Sequence, residues 1–401
     1  MSEQPTVAVI HFPSGGHIRP MVPLVAALGA AGMRTVQWAP AEWEGACAQA
    51  GGEFRPLPDL GDLAWPDPRP ADIAAFLGGL AERLAPWACE QVGEVGADVV
   101  LRDSFAQYGH YAAREHGLEE FVVPAMMAFH SGIWPRSGVP RGIGEARAEV
   151  RSRRALSSAS RALESRYGEP LGDALRVFAG RLGSPTFVMT VRSLQTQPEE
   201  LQGEQIHYLG ALRAIGQDEG GEEPALAGVQ PGDQVVYVSL GTVFEQNPGF
   251  FAGAARALAA PGRRVILSIG RLDPAAIEPL PDGVLARAHV DQIAVLRRAD
   301  LFVSHAGFNS MQEGLAAGVP MLLCPQMFEQ AVNADQIVAQ GAGLRVHDFS
   351  ERQLASGVET ILGEGTFRSE ARRLADELRA GTSADPAVEL LGAAAVRHHP
   401  T

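Results

Sequence analysis

His17 lies in the turn "SGGHIRP", between an apolar run, "TVAVIHF", and a run of helical spacing, "MVPLVAALGAAG". Strand, glycine turn and helix in that order commonly cradle a phosphate, yet the turn carries no G-x-G-x-x-G. An imidazole offers a different chemistry. Its ordinary pKa of about 6.5 suits a general base that takes a proton from a hydroxyl. Such a base works best with a carboxylate on its other nitrogen, and Asp103, closing the run "DVVLRD", is the candidate partner. On local pattern alone the alternative stands: His17 as a turn residue and Asp103 as a helix cap. Two more turns follow apolar runs, "SLGTVF" at Gly241 and Thr242, and "SHAGFNSMQEG" from Ser304. In the latter, a histidine, a glycine that permits close approach and a helix start would suit an anion. Ser310 and Glu313 also stand in the S-x-x-E spacing of a capping box, which merely starts a helix. The local pattern leaves these two readings equally open.

The elements that must position these turns read as alternating strands and helices. Residues 6–12 form a strand, 21–31 a helix opened by Pro20, and 34–40 the next strand. A βαβ unit of this kind implies a parallel sheet with right-handed crossovers. Residues 97–105, 121–129 and 186–191 read as further strands, and 131–183 as a helical, surface-facing stretch. Between residues 212 and 233 the pattern lapses into "RAIGQDEGGEEPALAGVQPGD", the best linker candidate. The alternation then restarts with "QVVYVSL" and continues through "DLFVSHAG" and "VPMLLCP". The expected fold class is α/β, with two doubly wound, Rossmann-like domains facing each other across a cleft. The expected division is 1–211, a linker at 212–233, then 234–385. Residues 386–401 form a C-terminal helix or tail, for which packing back on the first domain is one arrangement.

Composition narrows the function classes. A chain of 401 residues exceeds the size of a single core, so two domains are expected. The formal net charge is −14, which argues against nucleic-acid or membrane-surface partners. Cys47, Cys89 and Cys324 are odd in number and widely spaced, as for neither a disulfide framework nor a zinc site. No carboxylate cluster or His pair stands at metal spacing, which agrees with the expectation of no metal and no cofactor. No signal segment or membrane span is read, and the expected compartment is the cytoplasm.

The stretch "SHAGFNSMQEGLAAGVPMLLCPQMFEQAVNADQIVAQGAG" resembles the nucleotide-sugar signature of the inverting GT-B-fold UDP-glycosyltransferase family. Within it, the chain looks most like the bacterial macrolide-glycosyltransferase branch. The match runs over residues 292–343 and includes H-x-G-x-N-S, Glu313 eight positions after His305, G-V-P-M and an acidic residue followed by Gln. "VSLGTVF" and "GGHIRP" match two further loops of that branch, and residues 131–183 carry the least specific similarity.

The resemblance implies roles. His305 would donate to a diphosphate held by the backbone around Gly307, Asn309 and Ser310, with Gly241 and Thr242 on its other side. Glu313 would bind the ribose hydroxyls, Glu329 and Gln330 the transferred sugar, and Gln292 would sit by the pyrimidine. The family usually carries Trp three residues before that Gln; here it is His289, a smaller stacking surface. The resemblance also pairs His17 with Asp103. Gly15 and Gly16 would leave an acceptor room to approach His17, and Phe129, His130 and Trp134 are candidate acceptor-site residues, with core packing the alternative. Acceptor loops are expected within 58–80 and 125–183. The implied activity is inverting transfer of a hexose, glucose foremost, from an NDP-sugar such as UDP-glucose to a hydroxyl of a hydrophobic natural product, by a monomer or homodimer. Alternatives are a dTDP-deoxysugar transferase, a nucleotide-sugar epimerase or hydrolase, and a non-catalytic nucleotide-sugar-binding helper.

Overall fold

The computed structural model describes residues 4–61, 66, 69–130, 143–180, 183–203, 205–216, 223–241 and 247–398. Thr242 and Trp134 lie outside them, as do parts of the expected acceptor loops. The chain divides into two units, Met1–Arg213 with Ser383–Thr401, and Ala214–Thr382.

The first unit holds a sheet of β1 (Thr6–Ile10), β2 (Arg34–Ala39), β3 (Glu53–Pro56), β4 (Val99–Asp103), β5 (Glu119–Val123), β6 (Thr186–Val188) and β7 (Ile206–Tyr208). Its order is β3-β2-β1-β4-β5-β6-β7, every pair parallel. All five residues of β1 and of β4 are buried, as for strands covered on both faces by crossover helices. The second unit repeats the plan with β8 (Gln234–Ser239), β9 (Arg263–Ser268), β10 (Val284–Arg287), β11 (Leu301–Ser304), β12 (Met321–Leu323) and β13 (Gly343–Arg345). Its parallel order is β10-β9-β8-β11-β12-β13.

In each sheet the strand order reverses beside the first strand of its unit. β1 pairs with β4, ending level at Ile10 and Arg102, and β8 pairs with β11, level at Ser239 and Ser304. The crevice outside the carboxyl ends at such a reversal is where open α/β sheets bind ligands. The turns that carry Asp103, His17, Gly241 and His305 all leave from these strand ends.

Several boundaries differ from the sequence reading. β1 stops at Ile10 rather than residue 12, and β5 at Val123, where Pro124 cannot donate to a ladder. The first helix runs Gly15–Ala30, with Pro20 and Pro23 inside it rather than at its start. Its hydrogen bonding begins at the Ser14 carbonyl, which accepts from the His17 and Ile18 amides at 2.9 and 3.0 Å. His17 therefore stands on the first helical turn, not ahead of it. The linker stretch contains a helical turn, Leu212–Gly216, and a 3-10 turn, Pro224–Leu226. The final helix, Asp385–His398, belongs to the first unit, where Arg397 Nη2 donates to Glu119 Oε2 at 2.6 Å. Among the described residues no helix is long and apolar enough to cross a membrane.

Candidate functional site

In the first domain, Asp103 ends β4 fully buried. Its two carboxylate oxygens have separate donors. His17 Nδ1–H donates to Oδ2 at 2.9 Å, and the Phe105 backbone N–H donates to Oδ1 at 2.7 Å. An ionised carboxylate only accepts, so this contact assigns the proton to Nδ1 and leaves the lone pair on Nε2. The imidazole is flanked by the Phe12 and Phe105 rings, each with its centroid 4.9 Å away. Ring orientation is thus fixed from both sides, and the nitrogen able to accept a proton is set.

Behind the dyad lies an ionic network that the sequence reading missed. Fully buried Arg102 donates through Nε to Glu120 Oε2 at 2.7 Å and through Nη1 to the Asp103 and Ser104 carbonyls, both at 3.4 Å. His110 Nδ1 meets Glu120 Oε1 at 2.8 Å. Burial pushes the Glu120 carboxyl up, but the Arg102 charge and the His110 contacts outweigh it and hold the group far below the usual carboxylate range. The signal was an arginine inside the apolar run "VVLRD". Nearby His11 is also buried; its Nε2 meets Gln37 Oε1 at 3.2 Å, and burial lowers its pKa to about 4.

The acceptor-side expectations fare unevenly. A Cβ on Gly15 would lie 2.8 Å from the Trp43 indole, so this glycine makes room for Trp43. Gly16 is exposed. Phe129 is 2% exposed and packs on Phe178 with centroids 4.9 Å apart. His130 is 7% exposed, and its Nε2 donates to the Thr196 carbonyl at 3.3 Å. Both are buried and have partners inside the fold. Phe178 in turn meets Phe105 at 5.7 Å, so the aromatic packing is continuous up to the dyad.

In the second domain, His305 follows β11 and is hemmed by two glycines. A Cβ on Gly241 would lie 2.7 Å from His305 Nε2, and one on Gly307 would overlap Nε2 and stand 2.9 Å from Cε1. Gly241 also has φ +78°, a left-handed conformation that favours glycine. Burial lowers the His305 pKa to about 4, so the ring is neutral and can offer an N–H rather than a positive charge. Between His305 and Gly307, Ala306 holds φ +63°, a conformation few residues with a Cβ adopt. Two ties hold it. The Ala306 N–H donates to Ser304 Oγ at 3.1 Å, and the Ala306 carbonyl accepts from Asn333 Nδ2 at 2.9 Å.

The helix Phe308–Ala316 has Gly307 as its N-cap, with no side-chain cap. Ser310 and Glu313 therefore stand inside the helix, which rules out the capping-box reading. Their side chains instead meet Gln292, at the start of the helix Gln292–Leu296. Gln292 Nε2 donates to Glu313 Oε2 at 2.6 Å and to Ser310 Oγ at 3.4 Å, and Gln292 Oε1 accepts from Tyr237 Oη at 3.1 Å. Asn309 is half-buried on the same first turn, and His289 is exposed three residues before Gln292. Glu329 and Gln330 open the helix Phe328–Ala339. Glu329 Oε1 accepts from Asn333 Nδ2 at 2.6 Å, while Gln330 Oε1 accepts from the Gln326 N–H at 2.8 Å. Gln330 is buried, and its amide NH2 and the second lone pair of Oε1 are the groups it has left to offer a sugar. Tyr237 and Asn333 were not singled out by the sequence reading. Their partners are 55 and 27 residues away, and no local pattern encodes that.

Residues 197–380 match the family model for UDP-glucoronosyl and UDP-glucosyl transferase. The oleandomycin glycosyltransferase of Streptomyces antibioticus is 29% identical over 378 residues, 92% of this chain and 85% of that protein. An uncharacterised UDP-glucosyltransferase, YojK, of Bacillus subtilis (strain 168) is 24% identical and covered to 96% on both sides. Among solved structures, the glycotransferase of kitacinnamycin superposes with a TM-score of 0.80 at 25% identity, covering 98% of this chain and 99% of the other. The chain thus has the fold of the GT-B glycosyltransferases, its second domain matches the UDP-glycosyltransferase family model, and the proteins it is similar to include macrolide and other antibiotic glycosyltransferases.

Proposed function

We propose that the protein is an inverting hexosyltransferase that moves glucose from a nucleoside diphosphate sugar, UDP-glucose foremost, to a hydroxyl of a hydrophobic natural product. The observation that carries this reading is the His17–Asp103 hydrogen bond at the strand-order reversal of the first sheet, with Nε2 left to accept a proton. The acceptor hydroxyl gives its proton to Nε2 as its oxygen attacks the anomeric carbon. The bond from that carbon to the diphosphate oxygen breaks in the same displacement, which inverts the centre. Asp103 stabilises the imidazolium that forms. The charge that develops on the leaving diphosphate is met by the N–H groups of the His305–Ser310 turn and by the His305 ring. Glu329 and Gln330 support a donor with free hydroxyls, which a carboxylate and an amide bind better than a deoxysugar that lacks them. The names of the relatives support an antibiotic-like acceptor and a UDP-sugar donor.

The test is a donor-by-acceptor screen read by mass spectrometry, with the anomeric configuration of the product read by NMR. His17→Ala is expected to lose about 10²–10⁴-fold in transfer rate, and Asp103→Asn to fall with it. Transfer by His17→Ala near the wild-type rate would overturn the base assignment. Consumption of UDP-glucose at full rate without any acceptor would favour an epimerase or hydrolase instead.

A further inference from the structure

We propose that Asn333 is a positioning residue that ties the diphosphate turn to the sugar-recognising carboxylate; this rests on reading the second domain as the nucleotide-sugar site. Asn333 is 1% exposed, on the buried face of the helix Phe328–Ala339. Its amide nitrogen has two hydrogens, and both recorded partners are functional elements. One hydrogen goes to the Ala306 carbonyl at 2.9 Å, the other to Glu329 Oε1 at 2.6 Å. The first bond holds a residue that has a Cβ in the left-handed region, φ +63°. That conformation determines the direction in which the chain leaves His305 and enters the helix at Gly307. The second bond fixes a carboxylate one turn earlier on Asn333's own helix. Few side chains fit this place. Asp has the same shape but no N–H, and would set a second carboxylate against Glu329 and a carbonyl. Ala removes the Asn333 donor from the buried Ala306 carbonyl and from Glu329 Oε1.

The two bonds separate into two readouts. Uridine and thymidine diphosphate report on the turn, and the glucose esters of the same nucleotides add the carboxylate. Calorimetric affinities would be measured for the wild type, Asn333→Ala, the isosteric Asn333→Asp, Ala306→Gly and the double variant Asn333→Ala/Ala306→Gly. Asn333→Ala is expected to lose about tenfold or more in diphosphate affinity, and Asn333→Asp at least as much. Glycine takes φ +63° without strain, so the double variant is expected to recover diphosphate binding to within about threefold of Ala306→Gly. It is not expected to recover the extra affinity contributed by the sugar. A purely structural role for Asn333 would lower the melting temperature and both affinities together, with no recovery from Ala306→Gly. Wild-type affinities in both Asn333 variants, or no recovery in the double variant, would overturn the proposal. Failure of the wild-type protein to bind any of the four ligands would sink the donor-site reading first, and the proposal with it.

Discussion

Replacing Gly307 by Ala tests whether the His305 ring is where the donor's diphosphate is held. Gly307 has φ −61° and ψ 142°, extended backbone that any residue adopts, so the substitution adds no backbone strain. The new methyl would overlap His305 Nε2 and lie 2.9 Å from Cε1 and 3.2 Å from Cδ2. The imidazole must move, and Gly241 already crowds it closely enough that a Cβ there would sit 2.7 Å from Nε2. A displaced ring loses its hydrogen bond to a charged phosphate, worth about 1.5–3 kcal/mol. That corresponds to roughly 10–150-fold in nucleoside diphosphate affinity. Stability should change far less. Ala is a poorer N-cap than Gly, at about 1 kcal/mol, which is a melting shift of a few degrees for a domain of this size. Calorimetry with UDP beside a thermal melt separates the two effects. A folded Gly307→Ala protein that binds UDP within about twofold of wild type would refute the placement of the diphosphate at His305.

Two predictions concern the buried titratable groups of the first domain. His11 has its pKa lowered to about 4 by burial, with Gln37 opposing the shift, so the folded state keeps it neutral. Between pH 4 and 6.5 the unfolded chain therefore binds more protons. The stability from neutral His11 is complete above 6.5 and drains away as pH falls toward 4. Urea titrations at pH 7 and pH 5 should differ by about 2 kcal/mol from this group, and His11→Asn should remove that share of the slope. Glu120→Ala would leave the Arg102 guanidinium buried without its carboxylate; it should cost about 3–5 kcal/mol in denaturant unfolding of the first domain. A loss under 1 kcal/mol would show that water reaches the pair.

What the sequence revealed, and what it did not, follows from the range over which each feature is encoded. The doubly wound order was legible because apolar runs and glycine punctuation recur locally. His17 and Asp103 each close a run whose end is visible in its own few residues, but local pattern left their pairing open, and it was the family resemblance that joined them. The start of the first helix was misplaced because Pro20 resembles a first-turn proline, whereas the chain enters the helix at Gly15 and runs through it. The choice between anion site and capping box at Ser310 was undecidable from spacing. It depends on which residue takes extended backbone at the cap, and that is Gly307, three positions earlier than a capping box at Ser310 requires. Phe105, Tyr237 and Asn333 escaped notice for another reason. An aromatic, a tyrosine and an asparagine inside apolar or helical runs look like packing until the partner across the fold is known.

The two sheets also show why topology alone would not have identified the chemistry. Both place their turns at the same kind of strand-order reversal, level in register at Ile10 with Arg102 and at Ser239 with Ser304. At the first, the strand ends in a buried carboxylate, the next N–H but one secures it, and an imidazole from the opposite turn closes on it. That arrangement is suited to taking up a proton. At the second, the strand ends in a serine whose hydroxyl takes up a backbone N–H, and two glycines admit an imidazole that burial keeps neutral. That arrangement offers hydrogen bonds without charge, which is what the proposed leaving diphosphate needs. On the proposed function, a fold common to many activities acquires two complementary parts of one reaction from the few residues at its strand ends. The distinction between them is drawn by a carboxylate at one strand end and its absence at the other.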